Sequence, residues 1–182
     1  MNVDNQILIR SATSADRDAI STLYLSAFSK TERDPVAGLA IDLLSEGGVP
    51  ETCSLVAEIS GAIVGHVAFS PVWMESIPNW QGYLLAPLAV SPPRQKHGVG
   101  SSIVRHGIGE LQSRGVQTLL VYGDPGYYGR FGFDARTAEP YWAPYPLQYA
   151  FGWQGLELND LARIPGPNTI RCLPALMTPA LW

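Results

Sequence analysis

Cysteine is scarce: Cys53 and Cys172 are the only two among 182 residues. Their separation makes neither a metal-ligand spacing nor a disulfide framework, so two reduced, partly buried thiols are expected. Long apolar runs are missing, which excludes a membrane-spanning helix. The start of the chain lacks the basic-then-apolar pattern of a secretion signal, and the expected location is therefore cytoplasmic. Positive charge is not in excess, since the formal net charge is −4. The chain as a whole does not carry the footprint of a nucleic-acid binder. Repeats and low-complexity tracts are absent, and no stretch separates a second domain. One domain spanning residues 1–182 is expected, long enough for a substantial core.

Two further absences narrow the reading of the segment Leu84 to Ser101, LLAPLAVSPPRQKHGVGS. An apolar strand here enters a basic, glycine-spaced turn, and an amphipathic helix follows. Val99, Ile103, Val104, Ile108 and Leu111 recur at helical spacing, and Gly115 is placed to cap the far end. Such a helix points unpaired N–H donors and the positive end of its dipole at the loop Gln95-Lys96-His97, which makes an anion site. Gly98 and Gly100 have no Cβ, so a phosphate can approach their backbone, and Arg94 and Lys96 add full charge. A nucleoside-triphosphate loop would need a lysine after its last glycine, and Gly98-Val99-Gly100-Ser101 has none. A dinucleotide fingerprint would need a third spaced glycine near the start of a strand–helix–strand unit, and this segment supplies two, halfway along the chain.

The rest of the chain alternates helix and strand signals. Ile7 to Arg10 reads as a strand, and Thr13 with Asp16 as a capping box. Ile20, Leu23, Tyr24, Ala27 and Phe28 then make an apolar stripe. Asp34-Pro35 reads as a second helix start, ended by Gly47-Gly48. Ser54 to Ile59 and Ala62 to Val72 read as strands joined by the turn Ser60-Gly61. Alternation on the second of these puts His66 and Ser70 on one face. Tyr83 to Ser91 is the central strand, although Pro87 cannot donate to a ladder and argues for a bulge there. Thr118 to Tyr122 is a short apolar strand, broken by Gly123-Asp124-Pro125-Gly126. Beyond Phe133 an aromatic, proline-rich loop runs from Pro140 to Pro146. Strands are expected within Tyr149 to Leu158 and Ile170 to Leu176, around a turn at Pro165-Gly166-Pro167.

The spacing Gln95-x-x-Gly98-x-Gly100, preceded by Leu88-Ala89-Val90, resembles the pyrophosphate loop of the GNAT superfamily of acyl-CoA-dependent N-acetyltransferases. Tyr128-Gly129-Arg130-Phe131-Gly132-Phe133 resembles that family's Tyr-x-x-x-Gly-Phe motif. Two motifs in the right order are far more specific than either alone. The departure lies between them, where many members carry an asparagine and a longer helix and this chain has Gly123-Asp124-Pro125.

The resemblance implies an α/β fold: a central, mostly antiparallel, splayed mixed sheet of about seven strands flanked by about four helices. It implies acetyl-CoA as co-substrate. The diphosphate would lie on Gln95, Lys96, His97, Gly98, Val99, Gly100 and Ser101, and the pantetheine on the main chain of Leu88, Ala89 and Val90. It implies Tyr128 as the acid for the departing thiolate and makes His66, on a strand that borders the acceptor, the second candidate catalytic residue. The central strand holds no acidic residue, so His66, Glu75 or Asp124 acting through water, or bulk water alone, are the bases left open. No cysteine is placed for an acyl intermediate, which points to direct attack by a primary amine in a ternary complex. The competing reading is an acyl-CoA-binding sensor without catalysis. The expected partners are a small-molecule or peptide amine, with no nucleic acid, metal or membrane, and exposed sheet edges allow a homodimer.

Overall fold

The computed structural model describes residues 6–46, 49–159, 164 and 166–182. Gly47-Gly48 and Pro165, assigned above to a helix end and a turn, lie outside the described residues. Among those described, eight strands and five helices are found. The strands are β1 (Leu8–Ser11), β2 (Cys53–Ile59), β3 (Ala62–Val72), β4 (Gly82–Val90), β5 (Thr118–Tyr122), β6 (Tyr141–Trp142), β7 (Trp153–Glu157) and β8 (Asn168–Thr169). The helices are α1 (Arg17–Ala27), α2 (Arg33–Ser45), α3 (Val99–Ser113), α4 (Pro125–Tyr128) and α5 (Ala135–Ala138). Strands β1 to β5 and β7 form one sheet in the order β1-β2-β3-β4-β5-β7, and β6 pairs with β8 apart from it. In the larger sheet β4 and β5 run parallel, and β1–β2, β2–β3 and β5–β7 are antiparallel. The expected mixed α/β fold with a mostly antiparallel sheet is present. No helix among the described residues is long and apolar enough to cross a membrane.

The chain divides into two compact units, Met1–Phe69 with Pro87–Gly107 and Ser70–Ala86 with Ile108–Trp182. In the first, Asp16 closes a capping box with Thr13 and leads into α1. Ile20, Leu23 and Tyr24 of α1 and Ala37, Ala40 and Ile41 of α2 are buried together with Val56 and Ala89. Helix α2 begins two residues earlier than expected, with Glu32 at its N-cap and Pro35 third in the helix, where its missing N–H is still one that the helix leaves unpaired. The hairpin between β2 and β3 is closed by Ser60 and Gly61, both at positive φ (51° and 77°). Two such residues make the turn whose twist matches the flanking strands. Arg10 bonds both oxygens of Asp16 at 2.8 Å and Glu58 at 2.5 Å, tying β1 to the start of α1 and to β2. That guanidinium holds the Asp16 carboxyl well below the usual carboxylate range.

Gly107, on α3, faces the ring of Phe69, which is fully buried. A Cβ there would overlap the ring edge, and a buried ring has nowhere to swing. Gly107→Ala is expected to destabilise the protein by about 1–3 kcal/mol through overpacking. A lower denaturant midpoint with unchanged slope would show it, and an unchanged midpoint would mean that the helix and the ring are not in contact.

In the second unit, β5 is almost wholly buried between its neighbours. β4 pairs with β5 from Gly82↔Thr118 to Leu85↔Val121, and β7 pairs along the other side of β5 from Tyr122↔Trp153 to Thr118↔Glu157. Pro87 lies beyond the β4–β5 register, as its missing donor requires. The strand expected at 149–158 is the shorter β7, because Ala150–Gly152 turns as a 3-10 helix first. The expected strand at 170–176 is not formed. The extended residues are Asn168–Thr169, Arg171 bridges only to Trp73, and Pro174 starts a 3-10 turn. A proline that cannot donate and a bridge to a distant loop explain why the apolar pattern there misleads.

Candidate functional site

The loop after β4 turns twice through left-handed backbone before it becomes α3. Lys96 has φ 62° and Gly98 has φ 86°. The first is unusual for a side-chain-bearing residue; the second is the conformation glycine adopts without cost. Gly98 acts as the entry residue of α3, since the first helical bond runs from the Ser102 N–H to the Gly98 carbonyl at 2.9 Å. No main-chain carbonyl among the described residues accepts from the N–H groups of Gly98, Val99, Gly100 or Ser101. They are the open donors of a fifteen-residue helix. Nothing lies within 4 Å of a Cβ built on Gly98, so the backbone can be approached on that side.

The loop's side chains brace it rather than fill that space. Gln95 Nε2 donates back to the Val90 carbonyl at 3.1 Å, and His97 Nδ1–H donates to the Gln95 carbonyl at 2.7 Å. Lys96 and His97 are exposed, and Gly100 and Ser101 are half-buried. Val99 is buried and anchors the helix start: its Cγ1 lies 3.0 Å from where a Cβ on Gly65 would stand. Leu88 and Val90 are half-buried and Ala89 is buried, at the end of β4 that precedes the loop. All ten coenzyme-contacting residues expected from sequence thus belong to one unit. The far end of α3 is closed by Gly115 at φ 79°, with Gly115 N–H on Gln112 and Val116 N–H on Leu111, the paired bonds of a Schellman cap.

His66 stands in the core of the same unit, with no exposed surface. Its Nδ1 lies 2.8 Å from the Tyr24 hydroxyl and its Nε2 2.9 Å from the Ser54 hydroxyl. A neutral imidazole has one N–H and one bare nitrogen, so one hydroxyl accepts from the ring and the other donates to it. Burial pushes the group down to about 3, with the Asp16 carboxylate pulling weakly the other way. The face shared with Ser70, deduced from alternation, is a buried face. What sequence periodicity could not supply is the pair of hydroxyls, which come from α1 and β2.

Tyr128 belongs to the second unit, on the last turn of α4. Asp124 caps that helix: its Oδ1 accepts the Gly126 N–H at 2.9 Å, with Pro125 at the first helical position. The Tyr128 ring packs against Gly123, where a Cβ would overlap it. Phe133 meets it edge-on at 5.8 Å and Tyr127 at 5.0 Å. Burial raises the Tyr128 phenol above its ordinary value, and the neighbouring Tyr127 and Asp124 act in the same direction. The phenol therefore keeps its proton throughout the neutral range. Of the other titratable groups considered as bases, Glu75 lies on the surface beside Arg171 Nε at 3.2 Å, and Asp124 has one oxygen engaged in its cap. Both cysteines are buried free thiols, and burial pushes Cys172 up to about 12.

A cavity of about 490 Å³ opens beside Gly123 and Asp124, within the same unit as Tyr128. Tyr122, Tyr149, Phe151 and Trp182 supply its aromatic walls. Sequence reading missed these residues as a group, because the chain separates them widely and no spacing connects them.

The Acetyltransferase (GNAT) family profile matches residues 17–133. The uncharacterised N-acetyltransferase YjhQ of Escherichia coli K12 is 37% identical over 113 residues, 61% of this chain and 62% of that protein's own length. The uncharacterised N-acetyltransferase YhbS of the same strain is 35% identical over 130 residues, 70% of this chain and 74% of that protein. The crystal structure of E. coli YhbS in complex with CoA superposes with a TM-score of 0.80 at 28% identity, covering 94% of this chain and 93% of that one. A GNAT family acetyltransferase from Brucella melitensis in complex with acetyl-CoA gives a TM-score of 0.67, also at 28% identity, covering 94% and 98%. With the profile spanning most of the chain and the fold shared nearly end to end, the protein belongs to the acetyltransferase (GNAT) family of acyl-CoA-dependent N-acetyltransferases.

Proposed function

We propose that the protein moves an acetyl group from acetyl-CoA to a primary amine by direct attack. The observation that carries this is the corner at Gly98, where the first amides of a long helix find no main-chain acceptor among the described residues and Arg94 and Lys96 belong to the loop that leads into them. A dianionic diphosphate suits that corner through both the hydrogen bonds and the dipole. The YhbS and B. melitensis relatives, solved with CoA and acetyl-CoA, support the same ligand.

The chemistry follows from the residues available. A neutral amine attacks the thioester carbonyl through its lone pair, forming the C–N bond. The C–S bond breaks as the carbonyl reforms, and the sulfur leaves with the electron pair. A backbone N–H near Val90 is the proposed donor to the carbonyl oxygen as charge builds there. Tyr128 is the proposed donor to the sulfur. Its raised affinity for the proton makes complete transfer to a thiolate of ordinary basicity unfavourable, so it acts by sharing the proton in a hydrogen bond as the C–S bond breaks. Solvent then completes the thiol and takes the proton that the amine nitrogen sheds. A buried thiol with its proton held so firmly is no acyl carrier, which supports direct attack over an acyl-enzyme. His66, neutral and enclosed by two hydroxyls, is assigned to positioning α1 against the sheet rather than to moving the amine's proton.

Calorimetry with acetyl-CoA, followed by thiol release with a panel of amines, tests the proposal. Micromolar binding and amine-dependent thiol release are expected. Heat without thiol release under any amine would reduce the protein to an acyl-CoA sensor, and absence of both would end the assignment. Gly98→Val places a branched side chain in front of the donors and forces a left-handed backbone on it. It is expected to weaken acetyl-CoA binding at least tenfold, about 1.4 kcal/mol, while the thermal midpoint stays within a few degrees. Equal affinity would move the diphosphate elsewhere.

A further inference from the structure

We infer that the aromatic cavity at the end of β5 takes the acceptor, and that this acceptor is a small primary amine carried on an aromatic body. The inference rests on the acetyl-transfer reading and adds the chemical class of the amine.

Size comes first. At about 490 Å³ the space fits a small molecule and is within the range of ordinary ligand sites. Its walls are aromatic and still open: Phe151 is 68% exposed and Tyr149 is 54% exposed, their rings 5.8 Å apart. Exposed aromatic faces of this kind, held on a surface with no covering segment among the described residues, gain most from a flat apolar partner. The Tyr149 backbone and the Trp182 ring are tied in place. Tyr149 N–H donates to the Tyr122 hydroxyl at 2.8 Å, and Trp182 Nε1 donates to the Leu176 carbonyl at 2.9 Å. Gly152 sits in a tight place, because a Cβ would stand 3.1 Å from both the Gly123 carbonyl and the Tyr122 ring and one of them would have to give way. Gln154, buried beneath, donates to the Gly123 and Gly152 carbonyls and so ties the floor together.

Charge comes second. The lining contains one acidic side chain, Asp124, and no lysine, arginine or histidine. One carboxylate oxygen is spent on the Gly126 N–H, and the group remains exposed. Aromatic faces and an acidic side chain together favour an ammonium and disfavour a carboxylate on the ligand. A zwitterionic amino acid is therefore a poor fit, and an arylalkylamine a good one. Position comes third. Gly123 both lines this cavity and packs against the Tyr128 ring, so the acceptor would sit beside the residue that carries the proposed proton donor.

The test compares 2-phenylethylamine, spermidine and glycine as acceptors at fixed acetyl-CoA, and measures binding of each amine to the coenzyme-free protein by calorimetry. The phenyl amine is expected to exceed glycine at least tenfold in kcat/KM and to bind without coenzyme. Phe151→Ala should raise its KM roughly tenfold with kcat nearly kept. Asp124→Asn, whose amide oxygen can still cap α4, should raise that KM and narrow the gap to glycine. If acetyl-CoA binds and spermidine or glycine is the better acceptor, or if Phe151→Ala leaves KM unmoved, the inference is overturned while acetyl transfer stands. If acetyl-CoA itself fails to bind, the parent reading falls, and amine binding to the free protein still decides whether the cavity holds an aromatic amine.

Discussion

Tyr128→Phe is expected to lower kcat about a hundredfold, the usual scale for losing a positioned proton donor, and to leave acetyl-CoA affinity within about twofold. The phenol contributes one hydrogen bond that strengthens only as sulfur gains charge. Substrate binding does not use it, so KM for the coenzyme should hold. The ring itself must stay, because it fills the space over Gly123 and meets Phe133 edge-on. Phenylalanine keeps that packing, so the fold should survive and the thermal midpoint should barely move. The pH profile adds a second readout. Burial and the Asp124 carboxylate hold the proton on Tyr128 beyond its ordinary range, so the wild-type kcat should show no fall from phenol ionisation between pH 7 and about 10, the value of an unperturbed phenol. A break at about pH 10 that vanishes in the variant would mean that the phenol is exposed and ordinary. Unchanged kcat in the variant would remove Tyr128 from the reaction.

What the sequence makes legible is local. β3 and β5 have the bounds that alternation and apolar runs indicate, because each is buried along nearly its whole length and each is bounded by strong turn residues. Helix α3 is legible for two reasons that reinforce each other, the apolar stripe and the glycines at both ends. The phosphate corner follows from the same glycines, since a left-handed entry and open first-turn amides are properties of a short stretch of chain. The C-terminal third is less legible. Asn168–Thr169 is a strand only because it meets Tyr141–Trp142, and Trp73 bridges Arg171 across nearly a hundred positions. No window of sequence contains both partners of such a pair. The aromatic cavity fails for the same reason: Tyr122, Tyr149, Phe151 and Trp182 each read as ordinary apolar residues until the turn at Ala150–Gly152 and the last 3-10 turn bring them together. His66 is an intermediate case. Parity on β3 gave its face, and the hydroxyls that define its chemistry lie 42 and 12 residues away.

That enclosure makes stability, rather than turnover, the property His66 should control. In the folded protein its imidazole is held neutral, at about 3, against roughly 6.5 for a histidine in an unfolded chain. Between those values the unfolded state binds a proton that the native state refuses. The linkage sign is therefore fixed: unfolding free energy rises with pH across the interval. The contribution of His66 is complete above about 6.5 and is lost as pH falls towards the folded value. The Asp16 carboxyl, lowered by Arg10, adds its own loss only once pH drops below the ordinary carboxylate value near 4. The window from pH 6.5 to 4.5 thus isolates the histidine. Urea unfolding at pH 7.5 and 4.5 should differ by about 3 kcal/mol from this group alone, at a slope of about 1.4 kcal/mol per pH unit below 6.5. Both hydroxyls could accept from an imidazolium, so missing partners do not set the cost; removal of the charge from water does. His66→Gln keeps a donor and an acceptor for Tyr24 and Ser54 and carries no titrating proton. It should start from a lower stability and lose most of the slope in this window. A wild-type stability that is flat between pH 7.5 and 4.5, or a variant that retains the full slope, would place the imidazole in contact with solvent and free His66 for a part in the chemistry.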